Sequence, residues 1–252
     1  MSRTRSELAG SVKCSLPWWG LRRRLSVMGV IVLLAACSYH GDIDNPVVRK
    51  VTWFSYLDGT DIRNTCVEGS LGRYRLVYNG RYEEQLRSYE ITADGAGGAY
   101  LVAHAKGQDN AFQITQLTLD GVLAPWSWQR AEAHLSPEEY RQFLDLLEQS
   151  GMFAGAPAGE RLFSGDFYWL ASGCRDGKFY YGAWLFSADH FARVRFADFL
   201  FKHDRTGLAV NPPRAIAPSE FLGPMGRQED QSHIRFWLQV DKDGLSGVPN
   251  AF

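Results

Sequence analysis

The stretch RYRLVYNGRYEEQLRSYEI, residues 73–91, limits the possible folds more than any other segment. Strand side chains alternate between two faces, so Tyr74, Leu76 and Tyr78 share one face. Asn79-Gly80 offers the two positive-φ positions of a type I′ turn, which predicts a hairpin closing there. A second hairpin is predicted in DFYWLASGCRDGKFYYGAWLF, residues 166–186, around Asp176-Gly177 and with Cys174 near its turn. AYLVAHA (99–105) and AFQITQLTL (111–119) read as further strands, Asp120-Gly121 closing the latter before PWSWQ interrupts the pattern. The β-branched and aromatic run VVRKVTWFSYL (47–57) predicts a strand, and HIRFWLQV (233–240) predicts an edge strand near the end of the chain.

One segment has the 3.6-residue period instead. In HLSPEEYRQFLDLLEQSG, residues 134–151, Ser136 is placed to cap a helix, Pro137 fits its first turn and Glu139 completes a capping box. Gly151 is placed to end it, Leu135 and Tyr140 have staple spacing, and Tyr140, Phe143, Leu144 and Leu147 form an apolar stripe suited to packing on a sheet. SADHFARVRFADFLF (187–201) reads as a second helix near 188–202 capped by Ser187, with a strand reading also open. From about residue 204 the pattern is irregular, and no repeat of a solenoid or propeller kind is visible. Strands, helix, then strands define an antiparallel α+β domain over residues 47–252: a sheet of hairpins packed on one main helix, about 136–150. LSPEEYRQFLDLLEQSGMF followed by a hairpin resembles small uncharacterised sheet-plus-helix domains of bacterial envelope proteins, some relatives of which inhibit peptidases.

The N-terminal region has another grammar. Arg22, Arg23 and Arg24 precede an apolar core from about Val27 to Ala36, the architecture of an export signal. A membrane helix needs about 20 apolar residues, twice what this core has. Leu34-Ala35-Ala36-Cys37 resembles the lipobox of bacterial lipoproteins. That resemblance implies cleavage before Cys37, acylation of its thiol and freed amine, and, with Ser38 following, an outer-membrane address facing the periplasm. Several acyl chains exceed the two-signal threshold for stable anchoring. Residues 1–36 are therefore expected to be an export signal and 37–46 a lipidated tether. Residues 1–20 add nothing such a signal needs and are read as an upstream start preceding a true initiator at Leu21.

Residues 37–252 carry 21 basic against 27 acidic side chains, so the basic footprint of a nucleic-acid binder is missing. Cys14 leaves with the leader and Cys37 takes lipid, so Cys66 and Cys174 remain in an oxidising compartment and are expected to pair. Two free buried thiols, or a catalytic thiol, are the alternatives.

No G-x-S-x-G elbow, Walker A, dinucleotide or H-E-x-x-H pattern occurs, and the six histidines have no metal spacing, so no metal or cofactor is expected. In YLDGTDIRNTC, residues 56–66, Asp58, Asp61 and Arg63 crowd beside Cys66. Two carboxylates near an arginine can bind a cation or divide acid and base roles, while a plain turn at Asp58-Gly59 with solvated carboxylates is the simpler reading. Trp126 and Trp128, in a proline-marked loop, are the aromatic pair best placed for a binding surface. The sequence thus favours a non-enzymatic envelope protein, held to the membrane by the lipid on Cys37 and binding a protein or glycan partner. The alternative is an envelope hydrolase or other enzyme using Asp58, Asp61 and a distant histidine such as His104.

Overall fold

Why an arginine-bearing strand face ends up inside is the question the architecture answers. The computed structural model describes residues 46–107, 128–216 and 236–247, all within one compact unit spanning residues 38–252. Two short helices lead, α1 (Pro46–Asp58) and α2 (Thr60–Thr65). Strands β1 (Arg73–Gly80), β2 (Gln85–Ala93), β3 (Ala99–Gly107) and β4 (Gln129–Leu135) follow, then α3 (Pro137–Gln149). After a 3-10 turn at Met152–Ala154 come β5 (Arg161–Phe163), β6 (Phe167–Arg175) and β7 (Lys178–Leu185). A second 3-10 segment, Asp189–Arg193, precedes α4 (Ala197–His203), and β8 (Trp237–Asp241) and β9 (Gly244–Gly247) close the described chain. Six strands form one sheet in the order β4-β3-β2-β1-β6-β7, and three form a smaller sheet, β5-β8-β9, with antiparallel pairing throughout.

The large sheet is covered on both faces. On one, Tyr74, Leu76 and Tyr78 join Tyr89, Ile91, Leu101 and Trp169 beneath Phe143 and Leu147 of α3 and Phe199 and Leu200 of α4. On the other, Val77, Leu86, Tyr168, Leu170 and Tyr181 pack with Trp53, Tyr56 and Leu57 of α1 and with Leu162, Leu238 and Val240 of the small sheet. The expected α+β class and antiparallel sheet are therefore present. The single main helix is not, because α1 and α3 have 13 residues each and lie on opposite faces.

Four local expectations need correction. Residues 47–57 belong to a helix: Trp53, Tyr56 and Leu57, at i, i+3 and i+4, are its buried face, and this tertiary contact overrides β-branched propensity. The first hairpin forms with the expected face, but Asn79 and Gly80 sit inside β1, and the connection is residues 81–84 with Arg81 at φ 62°. Asn79 is buried, its amide donating to the carbonyls of Ser164 (3.0 Å) and Asp166 (2.6 Å), which holds it in the strand rather than at a turn. Ser187 caps nothing: the chain turns through residues 186–188, and Phe196 stands at the N-cap of a seven-residue α4. Finally, HIRFWLQV supplies a central strand, β8, between β5 and β9. The strand expected over 111–119 lies outside the described residues, and β4 arises in a segment where none was expected.

The second hairpin and α3 form as the sequence reads. Asp176 (φ 53°) and Gly177 (φ 72°) make the turn between β6 and β7. The Ser136 hydroxyl accepts the Glu139 N–H (3.3 Å), the Glu139 carboxylate accepts the Ser136 N–H (2.8 Å), and Gly151 takes a left-handed φ of 81° just past the helix. These bonds set the Glu139 carboxyl at about 2, the Ser136 backbone N–H being the largest contributor. Ser136→Ala should lower stability by about 1 kcal/mol, read from chemical unfolding.

Cys66 and Cys174 are joined by a disulfide, with Cα atoms 5.5 Å apart across 108 residues of sequence. Removing it frees a long loop in the unfolded chain, so Cys66→Ala with Cys174→Ala should cost about 4–5 kcal/mol on the chain-entropy argument. Unfolding of the oxidised wild type against the double variant measures this.

Candidate functional site

The Asp58, Asp61 and Arg63 cluster divides into two separate ion-pair systems. Gly59, at φ 68° and ψ 27°, breaks the chain between α1 and α2. A Cβ there would stand 2.4 Å from that of Ser172, so the turn needs glycine both for its dihedral and for its approach to β6. On one side of the break Asp58 accepts from Arg63 Nη1 (2.9 Å), the Thr60 hydroxyl (3.0 Å) and the Leu245 N–H (2.7 Å). Arg63 also donates to the Asp243 carbonyl (2.6 Å), and its guanidinium lies 4.6 Å from the centre of the Phe179 ring. Asp58 and Arg63 thus clamp the small sheet's last turn to the helices.

On the other side Asp61 turns toward the large sheet. Arg75, only 1% exposed, grips both its oxygens, at 2.7 and 2.9 Å, and Arg73 adds a third contact at 2.9 Å. Arg75 also donates to the Tyr56 carbonyl (3.1 Å) and to Glu90 (3.3 Å), with its guanidinium 3.8 Å from the Tyr56 ring centre. The Tyr56 hydroxyl bonds to Ser88. Burial raises the Asp61 carboxyl, but the hydrogen bond and charge of Arg75, joined by Arg73, outweigh it and hold the group below the ordinary carboxylate range. Burial and the same two arginines have the same net effect on Glu90.

These are bonds that hold helices to a sheet. A lowered carboxyl already bound to two guanidinium groups is a poor general base. Asp58, Arg63, Asp241, Lys242, Gly244 and Leu245 line an open groove of about 250 Å3, and neither Asp61 nor any histidine is among its lining residues. His104 is buried on β3, opposite Ser88 in the register and edge-on to Trp128 at 6.3 Å between ring centres. The structure therefore does not bring Asp58, Asp61 and His104 into one concave site.

Trp128 is half-buried rather than an exposed platform, its ring 5.9 Å from that of Trp53 within the core beneath α1. Trp126 and Cys37 lie outside the described residues.

Two networks went unread in the sequence. Arg73, Arg75 and Glu90 sat on what reads as a solvent face, and only their alternation with Tyr74 and Leu76 marked them as inward residues of a sheet covered twice. On the opposite face Arg87, fully buried, pairs with Asp204 and donates to the carbonyls of Leu208 (2.7 Å) and Ala209 (2.9 Å). Gln85 donates to the Ala209 carbonyl (2.8 Å), its side-chain oxygen accepts the Asn211 N–H (2.9 Å), and Tyr78 donates to the Asn211 carbonyl (2.6 Å). The irregular segment 204–211 is thereby strapped to the first hairpin by side chains.

A different feature is exposed. Val67 (61%), Leu71 (55%) and Tyr100 (59%) stand open to solvent. Tyr100 faces Thr92, which pairs with Arg73, itself paired with Cys174. Leu71 approaches Gly95, and the Val67 backbone approaches Gly177. All three residues thus belong to the disulfide end of the large sheet. No protein-family model, curated protein or solved structure matches the chain, so the chemistry is read from this geometry alone.

Asp61→Ala leaves Arg75 buried with a partner missing and should destabilise by about 3 kcal/mol. Because Asp61, Glu90 and Asp204 are all held below their ordinary values, the unfolded chain binds more protons in acid. Their contribution to stability is complete above about pH 5, clear of the unfolded carboxyl values, and is lost as pH falls through the folded-state values. Urea unfolding at a series of pH values should show this acid limb in the wild type, and a shallower one in Asp61→Ala.

Proposed function

We propose that this chain is a lipid-anchored envelope protein that binds a protein or glycan partner and is not an enzyme. The observation that carries the binding role is the exposure of Val67, Leu71 and Tyr100 at one end of the sheet. Large apolar side chains left open at one end of a sheet are the material of a contact surface. This replaces the Trp126 and Trp128 pair as the binding candidate, since Trp128 is used in packing. The carboxylates that an enzyme reading would use are occupied by Arg63, Arg73 and Arg75.

Location has its own support. A disulfide persists in an oxidising compartment, and pairing Cys66 with Cys174 leaves Cys37 as the one cysteine of residues 37–252 outside the bridge. A cysteine at that place, directly after an apolar signal core, is the one an acylating pathway would use. The outer-membrane address facing the periplasm rests on Ser38, as the lipoprotein resemblance implies.

Metabolic labelling with a lipid precursor should mark the wild type, and Cys37→Ser should lose both the label and the processing. A photo-crosslinking residue in place of Leu71, used in intact cells, should capture a partner, and Val67→Asp with Tyr100→Asp should abolish that capture while leaving the fold intact. Measurable turnover of an envelope substrate, with nothing captured, would reverse the reading.

A further inference from the structure

The described geometry separates the point where the chain enters the domain from the exposed apolar end. Helix α1 runs along the large sheet. Gly59, just past its C-terminus, approaches Ser172, which pairs with Arg75 near the disulfide end. Tyr56, one turn back, bonds to Ser88, which pairs with Val77 in mid-strand. Trp53, a further turn back, lies tilted against Tyr82 in the β1–β2 connection, with ring centres 6.4 Å apart. At 1.5 Å per residue the seven residues from Trp53 to Pro46 continue about 10 Å in the same direction. The N-terminus of α1 therefore emerges at the end of the sheet that carries the β1–β2 connection, opposite Cys66 and Cys174.

Only eight residues, 38–45, separate Cys37 from α1. Nine links of chain reach about 30 Å at most at full extension. The helix alone carries the chain about 20 Å away from the disulfide end. An anchor at Cys37 keeps the near end beside the bilayer. Laying the far end on it would use about two thirds of that reach merely to run back along the domain.

The near end also has the composition of an interfacial layer. Tyr82 and Phe186 (36% exposed) are open to solvent in part there, beside Arg81 and Lys106. Aromatic rings with cationic neighbours suit the headgroup region, where rings sit half wet and charges reach the phosphates. Of the acidic residues in the β1–β2 connection, Glu84 is held by Arg81 (2.6 Å) and Arg214 (3.5 Å), and Glu83 is exposed.

We propose that this end of the large sheet, around Arg81, Tyr82 and Phe186, lies on the lipid surface that holds Cys37. The disulfide end, with Val67, Leu71 and Tyr100, then faces away from the membrane. The proposal rests on the lipid-anchor reading above and adds an orientation to it.

The test uses the full, lipidated chain reconstituted into phosphatidylethanolamine and phosphatidylglycerol vesicles containing brominated lipid. An environment-sensitive fluorophore is placed on Phe186→Cys, on Glu83→Cys as a second, exposed near-end position, and on Leu71→Cys at the far end. Emission should shift to the blue and be quenched at 186 and 83, with neither change at 71. Quenching at 71 alone, or at none of the three while the protein floats with the vesicles, overturns the orientation but leaves the anchor standing. Failure of the wild type to float overturns the anchor reading and the orientation with it.

Discussion

The contact between Asp61 and Arg75 is the tie on which the layered architecture depends. A guanidinium on a strand face is compatible with burial only if its charge and its donors are met, and here Asp61, Glu90 and the Tyr56 carbonyl meet them. Once Asp61 is committed to that grip, α2 is fixed over β1, and Gly59 swings α1 back along the sheet. Trp53, Tyr56 and Leu57 then cover Val77, Leu170 and Tyr181. Breaking the pair removes more than two charges from contact, since it loosens the lid over half of the second core.

A buried ion pair is not in itself a gain over an apolar contact. What it supplies is register. Asp61 fits Arg75 in a two-point grip that no neighbouring helix position reproduces, and Asp58 fits Arg63 and the Leu245 N–H at the small sheet. The helices are thus located at two points by charges, while apolar packing provides the bulk of the adhesion. The same device is used on the opposite face, where Arg87 and Asp204 locate a strap that has no strand pairing of its own.

Local signals carried those elements whose causes lie within a few residues. The capping box of α3 and the Asp176-Gly177 turn are such cases, and the pairing of Cys66 with Cys174 followed from counting cysteines in a chain read as exported. The α1 helix was hidden because Val47, Val48, Val51 and Thr52 favour extended backbone in isolation, whereas its helical face is defined by a sheet that forms later in the chain. Asn79-Gly80 misled for a similar reason, since its amide is held by carbonyls more than 80 residues away. The candidate site was legible as a charged cluster but not as a structural one. Nothing local distinguishes a carboxylate awaiting a substrate from one awaiting an arginine on a distant strand, and Arg75 reads as solvent-facing until α1 is known to lie over it.

The disulfide has a mechanical consequence. Tension on the N-terminal side of the chain acts first on α1, whose attachment is one apolar face, the Asp58 clamp and the Tyr56 contacts, and then on α2 through Asp61. Peeling can advance only to residue 66, where the load crosses the covalent bridge to Cys174 on β6, an inner strand of the large sheet between β1 and β7. From there it is borne by hydrogen bonds to β1 and β7 on both sides, loaded together instead of one by one. The two leading helices therefore act as a short, recoverable slack in series with a stiff sheet.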